Sequence, residues 1–236
     1  MRPQLEYLSR GFRCVAFDWP GHGESGFDPE GWGPWDLVED VVAMIESLGE
    51  ERAFLAGVSQ GGAIFSRVAL AYPERVLGLV NMCAGPGPPP PTVVADLAQV
   101  ARVLADEPDE AVRRRAARAF ADTYFHAPGF AARNPSLAAA EIDVMVGHPR
   151  DALALVAALP PRYDSITERL GEIATPVLLI WGDQDRRATL GAELAAAIPD
   201  AQLLVIAGAG HHVNVDAPAQ VSEAIEHFCQ AIIGRT

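Results

Sequence analysis

The sequence predicts an α/β protein built on a mostly parallel sheet with helices on both faces and one long helical insertion. Three observations carry this. Short apolar runs of strand length alternate with amphipathic runs of helix length, the pattern of a parallel sheet covered on both sides. The alternation stops after Cys83, where AGPGPPPPT breaks any regular element, and it resumes at ATPVLLIWG near residue 174. The stretch between holds only helix-like segments, so residues 86–173 read as a helical lid inserted into a core formed by 1–85 and 174–236.

Taken in order, the expected strands are RCVAF (13–17), AFLAGV (53–58), VLGLVNMC (76–83), PVLLIW (176–181) and QLLVIA (202–207). Between the first two lies WDLVEDVVAMIESLG, where Leu37, Val38, Val41, Met44, Ile45 and Leu48 share one helical face and Gly49 suits a C-terminal cap. A helix AIFSRVALAY follows the second strand. The insertion offers VVADLAQVARVLAD, DEAVRRRAARAFADTYF and PSLAAAEIDVMVG, separated by Pro and Gly. A closing helix from Pro218 to about Ile233 begins at a proline suited to a first turn, and its apolar stripe runs through Val221, Ile225, Phe228 and Ile232.

The chain's 236 residues, half of them hydrophobic, are enough for a large core and argue against disorder. A formal net charge of -13 repels phosphate backbones and anionic membrane surfaces, which excludes nucleic acid and membrane as partners. Every basic residue is arginine, with no charged patch or stripe to go with it. Cys14, Cys83 and Cys229 lack the close pairing of a zinc or redox motif and are expected to be buried and reduced. The first residues, MRPQLEYLSRGFRCV, do not form a signal peptide, and no apolar run reaches membrane-spanning length, so a cytoplasmic protein is expected.

The strongest chemical signal is GVSQGG, Gly57 to Gly62, where a strand ends and a helix begins. In such a Gly-x-Ser-x-Gly turn the serine takes a strained backbone conformation, and flanking glycines keep neighbouring side chains from clashing. The turn exposes the Ser59 hydroxyl and aims a helix N-terminus at it, so the Gln60 N–H is placed to donate to an oxyanion. A serine needs a base within reach and a carboxylate to hold that base in one tautomer. WGDQD and GAGHHVNVDAP supply an acid and a histidine at the ends of the next two strands, with Asp183 or Asp185 and His211 or His212 as the choices.

These segments together resemble the α/β-hydrolase superfamily over nearly the whole chain. DWPGHGESG is similar to the loop after its fourth strand, GVSQGG to its nucleophile elbow, and YPERV to the end of the elbow helix. WGDQD and GAGHHVNVDAP are similar to its acid and histidine loops. The resemblance implies Asp185 as the acid and His211 as the base, with Asp183 and His212 as competitors. VNMCAG, after the third expected strand, has no carboxylate for the alternative acid position.

The resemblance also exposes a departure. The family begins with further strands, and a His-Gly loop after its third strand supplies a second oxyanion donor; RPQLEYLSRG looks like the helix after that loop. The N-terminal strands and oxyanion loop are therefore expected to be missing, with Met1 internal to a longer gene product or the chain a shortened relative. The lost strand belongs between 13–17 and 53–58, which leaves unpaired backbone groups unless those two strands close up.

The expected activity is hydrolysis of a small carboxylic ester or lactone through an acyl-enzyme on Ser59, without cofactor or metal. Carbon-carbon bond hydrolysis is the alternative within enzymes, and a noncatalytic ligand-binding homologue or an inactive fragment is the alternative outside them. Dehalogenation is disfavoured because similar dehalogenases carry aspartate in the elbow. His22 is expected to serve its glycine-rich turn, and His126, His148 and His227 lack metal-ligand spacing. Arg113, Arg114, Arg115 and Arg118 fit a solvated face with local ion pairs better than a carboxylate site. Oligomeric state is not legible.

Overall fold

The computed structural model describes residues 1–234. The first helix is α1 (Arg2–Leu8), and residues 9–33 then run without helix or strand to α2 (Pro34–Ser47). The pattern β1 (Ala53–Val58), α3 (Gln60–Ala71), β2 (Val76–Met82) follows. The insertion consists of α4 (Pro91–Asp106), α5 (Glu110–Tyr124), α6 (Phe130–Arg133), α7 (Pro135–Val146) and α8 (Leu153–Ala158). The chain then returns through β3 (Val177–Gly182), α9 (Thr189–Ala197), β4 (Ala201–Ile206), α10 (Val213–Asp216) and α11 (Pro218–Ile233).

Among the described residues the sheet has four strands, all parallel, in the order β1-β2-β3-β4. Every residue of β3 is buried, as a strand covered on both faces must be. β4 is an edge and leaves Leu203 and Val205 exposed. Four of the five expected strands form within a residue or so of their expected bounds.

The fifth does not. Residues 13–17 are apolar enough for a strand but have no neighbour to bond, because β1 pairs only with β2. A strand exists through its ladder, and without one Arg13–Phe17 remains irregular, with Val15 half exposed. The segment is held by side chains instead: Phe17 and Trp19 pack edge-on at 4.7 Å, and both lie against Phe65 of α3. The gap beside β1 has therefore not closed. Arg13–Phe17 and Ala53–Val58 both line one cavity of about 1020 Å³.

The helices behave as their sequences dictate. α2 buries Leu37, Val38, Val41, Val42 and Ile45, and its last turn closes on Gly49 at φ +76°. The Gly49 N–H donates to Glu46 O and the Glu50 N–H to Ile45 O, the pair of bonds that a left-handed C-terminal cap makes. α11 buries Val221, Ile225, Phe228 and Ile232. α1 is moored to the C-terminal part of the chain, where the buried Gln4 amide donates to Asn214 O at 2.9 Å.

The insertion has its own small core. Val100, Ala101, Leu104, Ala117, Phe120, Ile142, Leu153 and Ala157 form a cluster separate from the one around the sheet. Its three longest helices coincide with the segments expected from sequence, while α6 and α8 were too short to show a period. Among the described residues no helix is long and apolar enough to cross a membrane.

Candidate active site

Ser59 stands at the turn from β1 into α3 with φ 52° and ψ -115°, a conformation in which a non-glycine residue is strained. The strain is held from both sides, since the Ser59 N–H donates to Met82 O at 2.9 Å and the Ala63 N–H donates to Ser59 O at 3.0 Å. A side chain on Gly57 would meet the Gly61 backbone at 2.4 Å, and one on Gly62 would meet the Ala84 Cβ at 2.7 Å. Gly61, expected to be the second essential glycine, has nothing within 4 Å of such a position, so Gly57 and Gly62 are the pair the turn requires. Gln60 is the first residue of α3, where helix geometry leaves its N–H without an intrahelical acceptor.

Asp185 and His211 come from the loops after β3 and β4. The His211 Nδ1–H donates to Asp185 Oδ2 at 2.7 Å, and Asp185 Oδ1 accepts the Arg187 N–H at 2.8 Å. Burial works against the charge on Asp185, but these hydrogen bonds outweigh it and hold the carboxyl below the ordinary carboxylate range. The two competitors are engaged elsewhere. Asp183 Oδ1 accepts the Gly208 N–H at 2.7 Å and ties the two loops together, and the His212 Nδ1–H donates to Glu141 at 2.8 Å.

Ser59, Gln60, Asp185 and His211 all line the 1020 Å³ cavity. Its walls are mostly apolar, with Phe65, Leu97, Leu104 and Val156 among them, and the insertion supplies much of one side. Arg187 also lines it, beside Gly85, and burial lowers its basicity while the Asp185 charge sustains it. Ser59 and His211 share the cavity without a hydrogen bond to each other among the described residues. Close to Asp185 and His211 sits Cys83, at φ 55°, whose thiol burial pushes far up and keeps neutral.

The remaining histidines take structural or solvated places. His22 does bond its own turn, through Pro20 O at 3.0 Å, but it also lines the cavity and packs edge-on against His148 at 4.7 Å. His126 is buried between Asp216 and Glu141, an arrangement that no local pattern revealed because it joins three distant segments. His227 is exposed on α11. Of the arginines on α5, Arg114 pairs with Glu110 and Asp143, and Arg118 pairs with Asp122. Arg113 is buried, its guanidinium near Val146 O; none of the four lines the cavity. Cys83 and Cys229 are buried and free, while Cys14 is half-buried.

Among the described residues two groups have metal-ligating atoms within 4.8 Å of one another: Cys83 with Asp185 and His211, and His126 with Glu141 and His212. In both, the imidazole nitrogens sit 2.6–2.8 Å from carboxylate oxygens, the separation of a shared proton rather than of two ligands around an ion.

A family profile described as alpha/beta hydrolase fold matches residues 1–218. A 2-hydroxy-6-oxononadienedioate/2-hydroxy-6-oxononatrienedioate hydrolase from Paraburkholderia phymatum is 29% identical over 214 residues, covering 87% of this chain and 72% of that protein. A putative carbamate hydrolase from Azorhizobium caulinodans is 28% identical over 239 residues, covering 98% of this chain and 86% of that protein. Among solved structures, a thermophilic esterase from Thermogutta terrifontis superposes with a TM-score of 0.86 at 22% identity, over 98% of this chain and 84% of that one. The enol-lactonase from Burkholderia xenovorans does so with a TM-score of 0.85 at 24% identity, over 97% and 85%. By sequence profile and by fold, the chain belongs to the α/β-hydrolase family.

Proposed function

We propose that this protein is a serine hydrolase that cleaves a small carboxylic ester or lactone through an acyl-enzyme on Ser59. Ser59 Oγ attacks the carbonyl carbon while His211 Nε2 takes its proton, and the Gln60 N–H donates to the oxyanion. The intermediate collapses as His211 returns the proton to the leaving alkoxide. Water then repeats the sequence on the acyl group and regenerates the serine. Asp185 keeps the His211 proton on Nδ1, so that Nε2 presents its lone pair, and stabilises the imidazolium that forms. The helical insertion acts as a lid over the apolar cavity.

The observation that carries this reading is the 2.7 Å His211–Asp185 hydrogen bond beside a strained serine on the same cavity. Mixing enzyme with p-nitrophenyl butyrate and following the burst of p-nitrophenol tests it. A burst matching the enzyme concentration, reduced by at least about a thousandfold in Ser59→Ala, supports an acyl-enzyme. Binding of the ester without turnover in the wild type would point instead to a noncatalytic homologue.

A second reading, hydrolysis of a carbon-carbon bond in a substrate that bears a carboxylate, is favoured by Arg187. Its guanidinium, with Arg186 next to it on the same wall, offers a partner for an anion in a mostly apolar cavity. Substrates with and without a distal carboxylate, compared in wild type and Arg187→Gln, separate the two readings.

A further inference from the structure

The two loop residues on either side of the proposed base are each fastened to the helical insertion. The Gly210 N–H donates to Asp216 Oδ2 at 2.7 Å, and the same oxygen accepts the Ala127 N–H from the insertion at 3.0 Å. On the other side of His211, the His212 N–H donates to Phe125 O at 2.6 Å, and its Nδ1–H donates to Glu141 Oε1 of α7 at 2.8 Å. The two fastenings are joined by His126, whose Nδ1–H donates to Asp216 Oδ1 at 2.6 Å and whose Nε2–H donates to Glu141 Oε2 at 2.7 Å.

Both nitrogens of His126 face carboxylate oxygens, so each needs a proton, and the ring is an imidazolium held between two anions. The side chains of His126 and Asp216 are 4% and 3% exposed, where a charge missing its partner is strongly destabilising. Stacking fixes the rings as well: His126 lies on Phe130 at 3.8 Å and His212 on Phe125 at 4.0 Å. A cluster that served only to glue helices together would have no need to bond both backbone neighbours of His211.

We infer that Glu141 and Asp216 are positioning residues: through His126 and His212 they clamp the loop carrying His211 to the insertion, so the base is aligned only while the insertion is seated. Asp185 sets the tautomer and rotation of the ring, and the clamp sets where the loop carrying that ring stands. The inference takes His211 as the base from the proposed function above. Glu141 and His212 line the same cavity, and the His212 ring stacks near that of His211. The clamp's hydrogen bonds, however, go to one another and to the loop backbone rather than to Ser59 or to the His211 ring.

The test compares wild type, Glu141→Ala and Glu141→Gln. The amide introduced by Glu141→Gln can accept from His212 through its oxygen and donate to a neutral His126 through its nitrogen, so it keeps the clamp, whereas alanine cuts the link between His126 and His212 and leaves only the Asp216 and backbone bonds. In Glu141→Ala, kcat for p-nitrophenyl butyrate is expected to fall about ten- to a hundredfold, with KM changing much less, and Glu141→Gln to recover most of the loss. Two readouts need no turnover: the downfield proton resonance of His211 Nδ1–H bonded to Asp185, and hydrogen exchange at the Gly210 and His212 amides. Glu141→Ala should broaden or shift the resonance and speed the exchange.

A resonance and exchange rates equal to those of the wild type in Glu141→Ala would overturn the inference, whatever the kinetics. If the wild type releases no product, the hydrolase reading fails while these two readouts still decide the clamp. Should Glu141→Ala not fold, Glu141→Leu, which fills the space without an acceptor, is read in the same way.

Discussion

His211 and His212 are neighbours in sequence held by different carboxylates, the first by Asp185 from the sheet core at 2.7 Å and the second by Glu141 from the insertion at 2.8 Å. Both rings border the elbow serine's cavity, yet one residue of chain divides a histidine held by the acid loop from one that anchors the helices of the insertion. Asp183 and Asp185 divide in the same way, since only Asp185 meets an imidazole. The division leads to outcomes that can be measured.

Asp185→Asn would reverse the hydrogen-bond demand on His211 Nδ1 and leave the wrong tautomer facing Ser59. Ester turnover is expected to drop about a thousand- to ten-thousandfold with little change in melting temperature. Asp183→Asn, which keeps an oxygen for the Gly208 N–H, should remain within a few-fold of wild type. Equal losses in both variants would move the acid to another residue.

The elbow glycines should respond unequally. Gly57→Ala and Gly62→Ala force a Cβ to within 2.4 and 2.7 Å of other atoms, and both are expected to lose several kcal/mol or fail to fold. Gly61→Ala meets nothing and lies in the first turn of α3, where alanine should be neutral or add up to about 1 kcal/mol. Urea unfolding of the three variants checks the order, and a Gly61→Ala loss as large as that of Gly57→Ala would contradict the steric account.

His126 makes stability depend on alkaline pH. Burial opposes its charge, yet the hydrogen bonds to Asp216 and Glu141 prevail and raise it to about 9 from an ordinary 6.5. The folded state therefore holds one more proton than the unfolded chain between those values. Its stabilisation is complete below about pH 6.5 and disappears as pH rises through about 9. Glu141 behaves oppositely: burial would raise it, but His126 and His212 lower it to about 2, so its contribution is present above about 4.5 and lost as pH falls through about 2. Urea midpoints at pH 7 and 10 should fall more in wild type than in His126→Gln. Parallel falls would remove His126 from the account.

The open side of β1 predicts uneven protection within one sheet. Amides of β2 and β3, flanked by strands on both sides, should exchange slowest, and those β1 amides that point away from β2 should exchange far faster. Native-state hydrogen exchange read by NMR resolves this. Uniform protection across β1 would mean that Arg13–Phe17 pairs with it in solution.

Much of the fold could be read directly from the order of residues. The runs at 53–58, 76–82, 177–182 and 201–206 are apolar and bounded by breakers, and they form strands because a parallel sheet buries both of their faces. Ser59 was equally legible, since the elbow is built from contiguous residues whose backbone constraints are local. The run at 13–17 misled because apolar character shows what a segment can bury, while a strand also needs a neighbour's N–H and C=O groups.

The resemblance implied Asp185 with His211, but the residues alone left Asp183 and His212 open, and only the tertiary structure showed which side chains bond, because a one-residue step in a loop turns a side chain elsewhere while hardly changing the local pattern. Only it brought His126, Glu141, His212 and Asp216 together, from the insertion and from the loop after β4. Sequence specified the elements through short-range periodicity and turn chemistry. The charge network depends on packing between segments up to 90 residues apart, a separation across which no local pattern carries information.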